Sequence, residues 1–196
     1  MSIVENKNSV SSAEEFLGAE MGSRDLKGPM GKLVVAVLVI WSVFQLWYAS
    51  PLPFVFNFGV FNEDQAKFIH LSFALFLAFS LFPFSKKNGT REMRVVDLVI
   101  GALAACTTMY LLLNRDALVE RVGLPTTTDV VIAMTGLLLL LEATRRSLGL
   151  PLVIVCVVFL VFTFGGQHMP DVIAHKGASL NKVASHQWLT TEGVFG

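Results

Sequence analysis

Apolar residues in this chain fall into long runs separated by short polar breaks. Five such runs stand out: Leu33 to Ala49, Phe68 to Phe84, Val95 to Leu113, Val130 to Leu141 and Leu148 to Phe164. The breaks are turn-like or charged: Ser50-Pro51-Leu52-Pro53, Ser85-Lys86-Lys87-Asn88-Gly89, Asn114-Arg115, Glu142 with Arg145-Arg146, and Gly165-Gly166. A helix rises about 1.5 Å per residue and the hydrocarbon layer is about 30 Å thick. Runs one, two, three and five hold 17, 17, 19 and 17 residues, enough to cross once interfacial flanks are added. Run four holds 12 and needs Thr126-Thr127-Thr128 and Ala143-Thr144 to extend it, which threonine permits by bonding a carbonyl one turn back. A helix spanning half the membrane is the alternative there. Barrel strands would be shorter and would alternate apolar with polar. The pattern therefore predicts an all-α polytopic membrane helix bundle with spans near 33–50, 67–84, 95–113, 127–144 and 148–164.

Residues 165–196 are mixed in polarity. Leu180, Val183, Ala184 and Gln187 form a partial helical stripe, which predicts a short amphipathic helix on the outer membrane surface with Trp188 as an interfacial anchor. The ending Gly193-Val194-Phe195-Gly196 has no polar tail, so a fragment of a longer protein is expected.

Composition agrees with a lipid solvent. Only 15% of the 196 residues are charged, against roughly 25% in a typical soluble domain. The net charge of zero gives no reason to expect nucleic acid as a partner. Residues 1–31 are polar and mixed in charge, unlike a secretory signal, and read as a disordered cytoplasmic tail. Lysine and arginine accumulate in cytoplasmic loops. The tail (Lys7, Arg24, Lys27, Lys32), the loop after run two (Lys86, Lys87, Arg91, Arg94) and the loop after run four (Arg145, Arg146) hold 10 such residues. The alternate loops hold 5: Lys67, Arg115, Arg121, Lys176 and Lys182. This predicts the N-terminus inside and, with five spans, residues 165–196 outside.

Candidate chemistry is sparse. Glu142, Arg145 and Arg146 are spaced so that both guanidiniums reach the carboxylate on one helix face. They could hold a partner helix or a lipid phosphate; the plainer reading is a positive-inside anchor with a local ion pair. Asp97 follows Arg94 closely and is placed in the headgroup zone rather than deep in lipid. His70 lacks the second membrane histidine that a b-type haem would need, and His168, His175 and His186 fit no common metal-ligand spacing. Cys106 and Cys156 read as small apolar residues at helix interfaces. Phe73, Phe76, Phe79 and Phe82 make a packing or lipid-facing stripe, and Gly101 with Ala105 permits close helix approach. No nucleophile–base pair, phosphate loop or metal motif is visible, so no enzyme activity, catalytic residue or cofactor is expected.

Several segments together resemble the N-terminal, Q-type part of the fused permease subunit of TRAP (tripartite ATP-independent periplasmic) transporters, of the kind served by a TAXI-type solute-binding protein. They are Ile40 to Pro53, Lys67 to Ala74, Gly123-Leu124-Pro125-Thr126-Thr127 with Asp129, Leu141 to Gly149, Ala174 to Gly177 with Ser185-His186, and Leu189 to Gly196. The resemblance covers roughly residues 33–196. It implies residence in a bacterial or archaeal cytoplasmic (inner) membrane and a bracing role beside a large M-type permease domain. That domain would carry an organic acid or similar solute, coupled to an ion, usually sodium, and would follow residue 196. No sodium- or substrate-binding residue can be carried over, and the resemblance implies a scaffold or lipid-facing role for Glu142, Arg145 and Arg146. The alternative from a different class is a free-standing membrane scaffold or assembly protein.

Overall fold

The computed structural model describes residue 24 and residues 28–84 and 95–196, and within them every regular element is helical. The principal helices are α1 (Gly28–Ala49), α2 (Leu52–Phe56), α3 (Glu63–Leu81), α4 (Val95–Leu113), α5 (Arg115–Glu120), α6 (Thr127–Ser147), α7 (Leu150–Gly165) and α8 (Leu180–Ala184). A 3₁₀ turn, Gly166–His168, extends α7, and α8 runs on into a π-helical turn, Ser185–Leu189. Four stretches are long and apolar enough to cross a membrane: α1, α4, α6 and Leu150–His168. The chain is thus a multi-pass membrane helix bundle.

The boundaries follow local chemistry. α1 begins before the apolar run, at Gly28, with Pro29 in its first turn, where a missing N–H costs nothing. The tail expected over residues 1–31 is corrected on this point: residues 28–31 are helical, Gly31 is buried, and Arg24 is only 6% exposed. The rest of that tail, and the loop basic residues Lys86, Lys87, Arg91 and Arg94, lie outside the described residues. α3 opens on a capping box in which the Asn62 side chain accepts from the Gln65 N–H while the Gln65 side chain accepts from the Asn62 N–H. It stops at Leu81, short of the apolar run's end, because Phe82 precedes Pro83 and is forced to extended backbone. α4 matches its expected limits. α6 is 21 residues long, roughly 31 Å, so the shortest apolar run makes a full-length helix. Its added turns come from Thr127 and Thr128 at one end and Ala143 to Ser147 at the other.

α3 occupies the middle of the bundle although it is not among the four most apolar helices. Glu63 and Asp64 in its first turn favour the positive end of the helix dipole, and Lys67 pairs with Glu63 at 2.9 Å. Its body packs closely against α4. A Cβ on Gly101 would lie 3.1 Å from the Phe76 carbonyl oxygen, so the glycine sets how near the two helices come. The Ser72 and Thr108 hydroxyls meet across this contact, and each also bonds a carbonyl of its own helix. The phenylalanine stripe is shared between two interfaces: Phe79 is fully buried in the core, while Phe73 faces Trp41 and Phe44 of α1. α7 fully buries no side chain: one stripe, Val153, Cys156, Leu160 and Thr163, is partly covered, and the rest of its apolar surface is open.

Contacts between elements divide the bundle into two ends. Arg24, the end of α3, the start of α4 and the end of α6 meet at one of them. The start of α3, the end of α4, the start of α6 and residues 185–196 meet at the other.

A candidate functional site of buried charges

The first end holds a connected set of five charged side chains. Arg146, on the last turn of α6, donates from Nη1 to Asp97 Oδ1 at 2.7 Å and from Nε to Glu142 Oε1 at 2.8 Å. Arg24 donates from Nη2 to the other Asp97 oxygen at 2.6 Å, and its backbone N–H bonds the Leu81 carbonyl at 2.9 Å. Arg145 closes a two-pronged pair with Glu142 at 2.7 and 2.8 Å and reaches the Phe84 carbonyl at 3.2 Å. Aromatic rings cover the guanidiniums: Arg146 lies 4.7 Å from the Phe79 ring centre and Arg145 lies 4.6 Å from that of Phe84. Side-chain exposure is 2% for Arg24, 3% for Arg146 and 7% for Asp97.

The sequence places Asp97 in the headgroup zone near Arg94; in the structure its carboxylate is buried between Arg24 and Arg146, and Arg94 lies outside the described residues. The reason is energetic. A carboxylate withdrawn from water is tolerated when each oxygen receives a charged donor, and here each does. Glu142 with Arg145 and Arg146 forms the expected local ion pair. Arg146 extends it beyond its own helix, to α4, and Arg24 joins it from outside the helices. Every oxygen of Asp97 and Glu142 accepts a hydrogen bond from an arginine, so the cluster binds the elements together.

A second carboxylate anchors the other end. Asp129 is fully buried and accepts from the Tyr110 hydroxyl at 2.6 Å, Arg121 at 3.1 Å, and the Thr126 N–H and hydroxyl at 2.8 and 2.7 Å. The capping box of α6 thus doubles as the tie between α6, α4 and the α5 turn. The Thr126-x-x-Asp129 spacing carried this signal in the sequence. Nothing comparable marked Arg24, whose partner Asp97 is far along the chain.

Trp188 is a correction of a different kind. It is not an interfacial anchor: its exposure is 0%. Its indole lies against Gly136 of α6, where any Cβ would collide with it, and it meets Phe195 edge-on at 5.6 Å between ring centres. Phe195 in turn meets Phe68 of α3 at 4.8 Å. The 180–189 helix is therefore packed into the bundle, because its Val183, Ala184 and Trp188 face supplies more apolar burial there than a headgroup region would.

The histidines are dispersed. His70 pairs with Gln45 of α1 and sits edge-on to Trp41 at 5.0 Å. His175 fits over Gly166 and contacts the Phe162 carbonyl, and His186 pairs with Glu192 at 3.0 Å. Among the described residues no group of three or more His, Cys, Asp or Glu is placed to hold a metal, and Cys106 and Cys156 are free thiols.

No family model, curated protein or solved structure matches this chain.

Proposed function

We propose that this chain is the bracing, Q-type portion of a TRAP-type permease, a fixed scaffold in the cytoplasmic membrane beside a large M-type domain. That domain moves an organic acid or similar solute, delivered by a TAXI-type binding protein, with an ion such as sodium. The observation that carries the reading is the cross-linking of helices by buried charge. Asp97 and Asp129 tie α4 to α6 at both ends, and all four oxygens of the two carboxylates are occupied. Such an arrangement resists relative movement of the helices, as a scaffold must. α7, with no fully buried side chain, offers an apolar face for the moving domain or for lipid.

The test is affinity purification of the tagged native gene product from its own membranes. A large multi-helix permease portion, in the same polypeptide or a stable complex, is the expected result. Recovery with an unrelated complex and no permease would favour the free-standing scaffold instead and overturn this reading.

A further inference from the structure

We infer that residues 50–61, the connection between α1 and α3, form an aromatic wedge that docks on the lipid surface, with its backbone at the boundary between headgroups and acyl chains and its rings in the lipid. The 30 residues from Leu33 to Asn62 carry no charge, and α1 uses only those up to Ala49. The connection itself presents Phe54, Val55, Phe56 and Phe58, each 65–75% exposed. This patch continues the open apolar surface of α1, where Leu46 is exposed to the same degree.

The segment folds back along α1 instead of rising away from it. Phe56 and Phe58 lie against Trp47, with ring centres 6.2 and 6.4 Å from it, and Phe61 reaches Phe44 at 5.9 Å. Phe44 is five residues before the end of α1, roughly 7.5 Å along its axis. Amphipathic elements that lie in a membrane interface sit about 5–10 Å into the same boundary. Gly59 allows the return: its φ is +62°, and a Cβ there would stand 3.0 Å from Trp47 Nε1.

A backbone at that depth must satisfy its own polar groups. The Ser50 N–H bonds the Trp47 carbonyl, the Leu52 N–H the Ser50 hydroxyl, the Phe54 and Val55 N–H groups the Pro51 carbonyl, and those of Asn57 and Phe58 the Pro53 carbonyl. Pro51 and Pro53 have no N–H to satisfy. Lipid fits the patch better than a protein partner does. A protein interface carries about one hydrogen bond per 100–200 Å², and these phenylalanine and valine side chains can make none. The wedge also has a task. α1 fully buries only Gly31 and Val34, near its other end, so the inserted rings fix the depth of the end that the core does not hold.

The experiment is spin-label accessibility by electron paramagnetic resonance. It uses the native gene product in phosphatidylcholine–phosphatidylglycerol vesicles, with its cysteines, Cys106 and Cys156 among them, replaced by alanine. Single labels go at Phe54 and Phe58, with Leu46 as the lipid reference and Glu120, exposed at the same end of the bundle, as the water reference. The Phe54 and Phe58 labels are expected to match Leu46: open to oxygen, and several-fold less open than Glu120 to a water-soluble nickel chelate. Trp47→Ala should raise nickel access at Phe58 several-fold, with an unchanged circular dichroism spectrum as the check of folding. Nickel access equal to that at Glu120 would make the segment an aqueous loop and overturn the proposal. Shielding from oxygen and nickel alike would mean that protein covers it, which overturns the proposal as well. An unchanged Phe58 label in Trp47→Ala would overturn the folded-back arrangement on which the depth rests.

Discussion

Asp97 shows how much one side chain can settle. Two arginines rest on it, both almost wholly buried. Removing it leaves two cations without their strongest acceptor inside a low-dielectric layer, and breaking a buried pair in this way costs about 3–5 kcal/mol. Asp97→Ala is expected to lower the thermal unfolding midpoint in detergent sharply. Glu63→Ala breaks an exposed pair and should change stability by about 1 kcal/mol or less. The contrast between the two variants is the check. Trp188 makes a parallel case in apolar terms. Trp188→Ala opens a cavity worth about 3–5 kcal/mol, whereas a true interfacial anchor would lose far less. Sequence misplaced both residues for one reason: distance along a run gives depth, but not which partner comes back to meet the side chain. Arg24 and Gly136, the partners concerned, are remote in sequence and carry no mark of their role.

At the level of elements, the apolar runs located the helices well and their ends less well. α4 begins and ends where its run does. α3 is shifted toward its N-terminus because a polar capping box starts it and Pro83 stops it, and neither is a matter of hydrophobicity. α6 gains its length from threonines and a charged last turn, which a run of apolar letters omits. Its first turn rests on Thr126, whose hydroxyl both caps the helix and supports Asp129. Thr126→Ala should therefore cost about 1 kcal/mol or somewhat more, the usual effect of losing an N-cap. Thr126→Ser should restore most of it; equal loss in both would show that the methyl group, not the cap, matters.

Across the whole molecule, the alternation of ends is the main result. The paired contacts set Arg24, the end of α3 with Phe84, the start of α4 and the end of α6 together at one end, as antiparallel packing of successive helices requires. The count of basic residues predicts that this end faces the cytoplasm. Reporter fusions after Ser85 and after Gly165 are expected to report inside and outside respectively, and both on one side would remove the five-crossing arrangement. The helical class was readable from composition and run length. The two buried charge clusters were not, since each is assembled from elements that only folding brings together.

The two clusters also act as a ruler. Asp129 and Glu142 lie on the same helix, roughly 20 Å apart along its axis. The charges at both marks are turned into the protein and reach α4, so a slide of α6 past α4 by one turn, about 5.4 Å, would break both ties at once. Losing one tie leaves the other mark, so Asp97→Ala should keep the α4–α6 register, and Asp97→Ala combined with Asp129→Ala should lose it. Disulfide cross-linking of cysteine pairs placed along the two helices reads that register, and an identical pattern in the parent chain and the double variant would refute the two-mark reading.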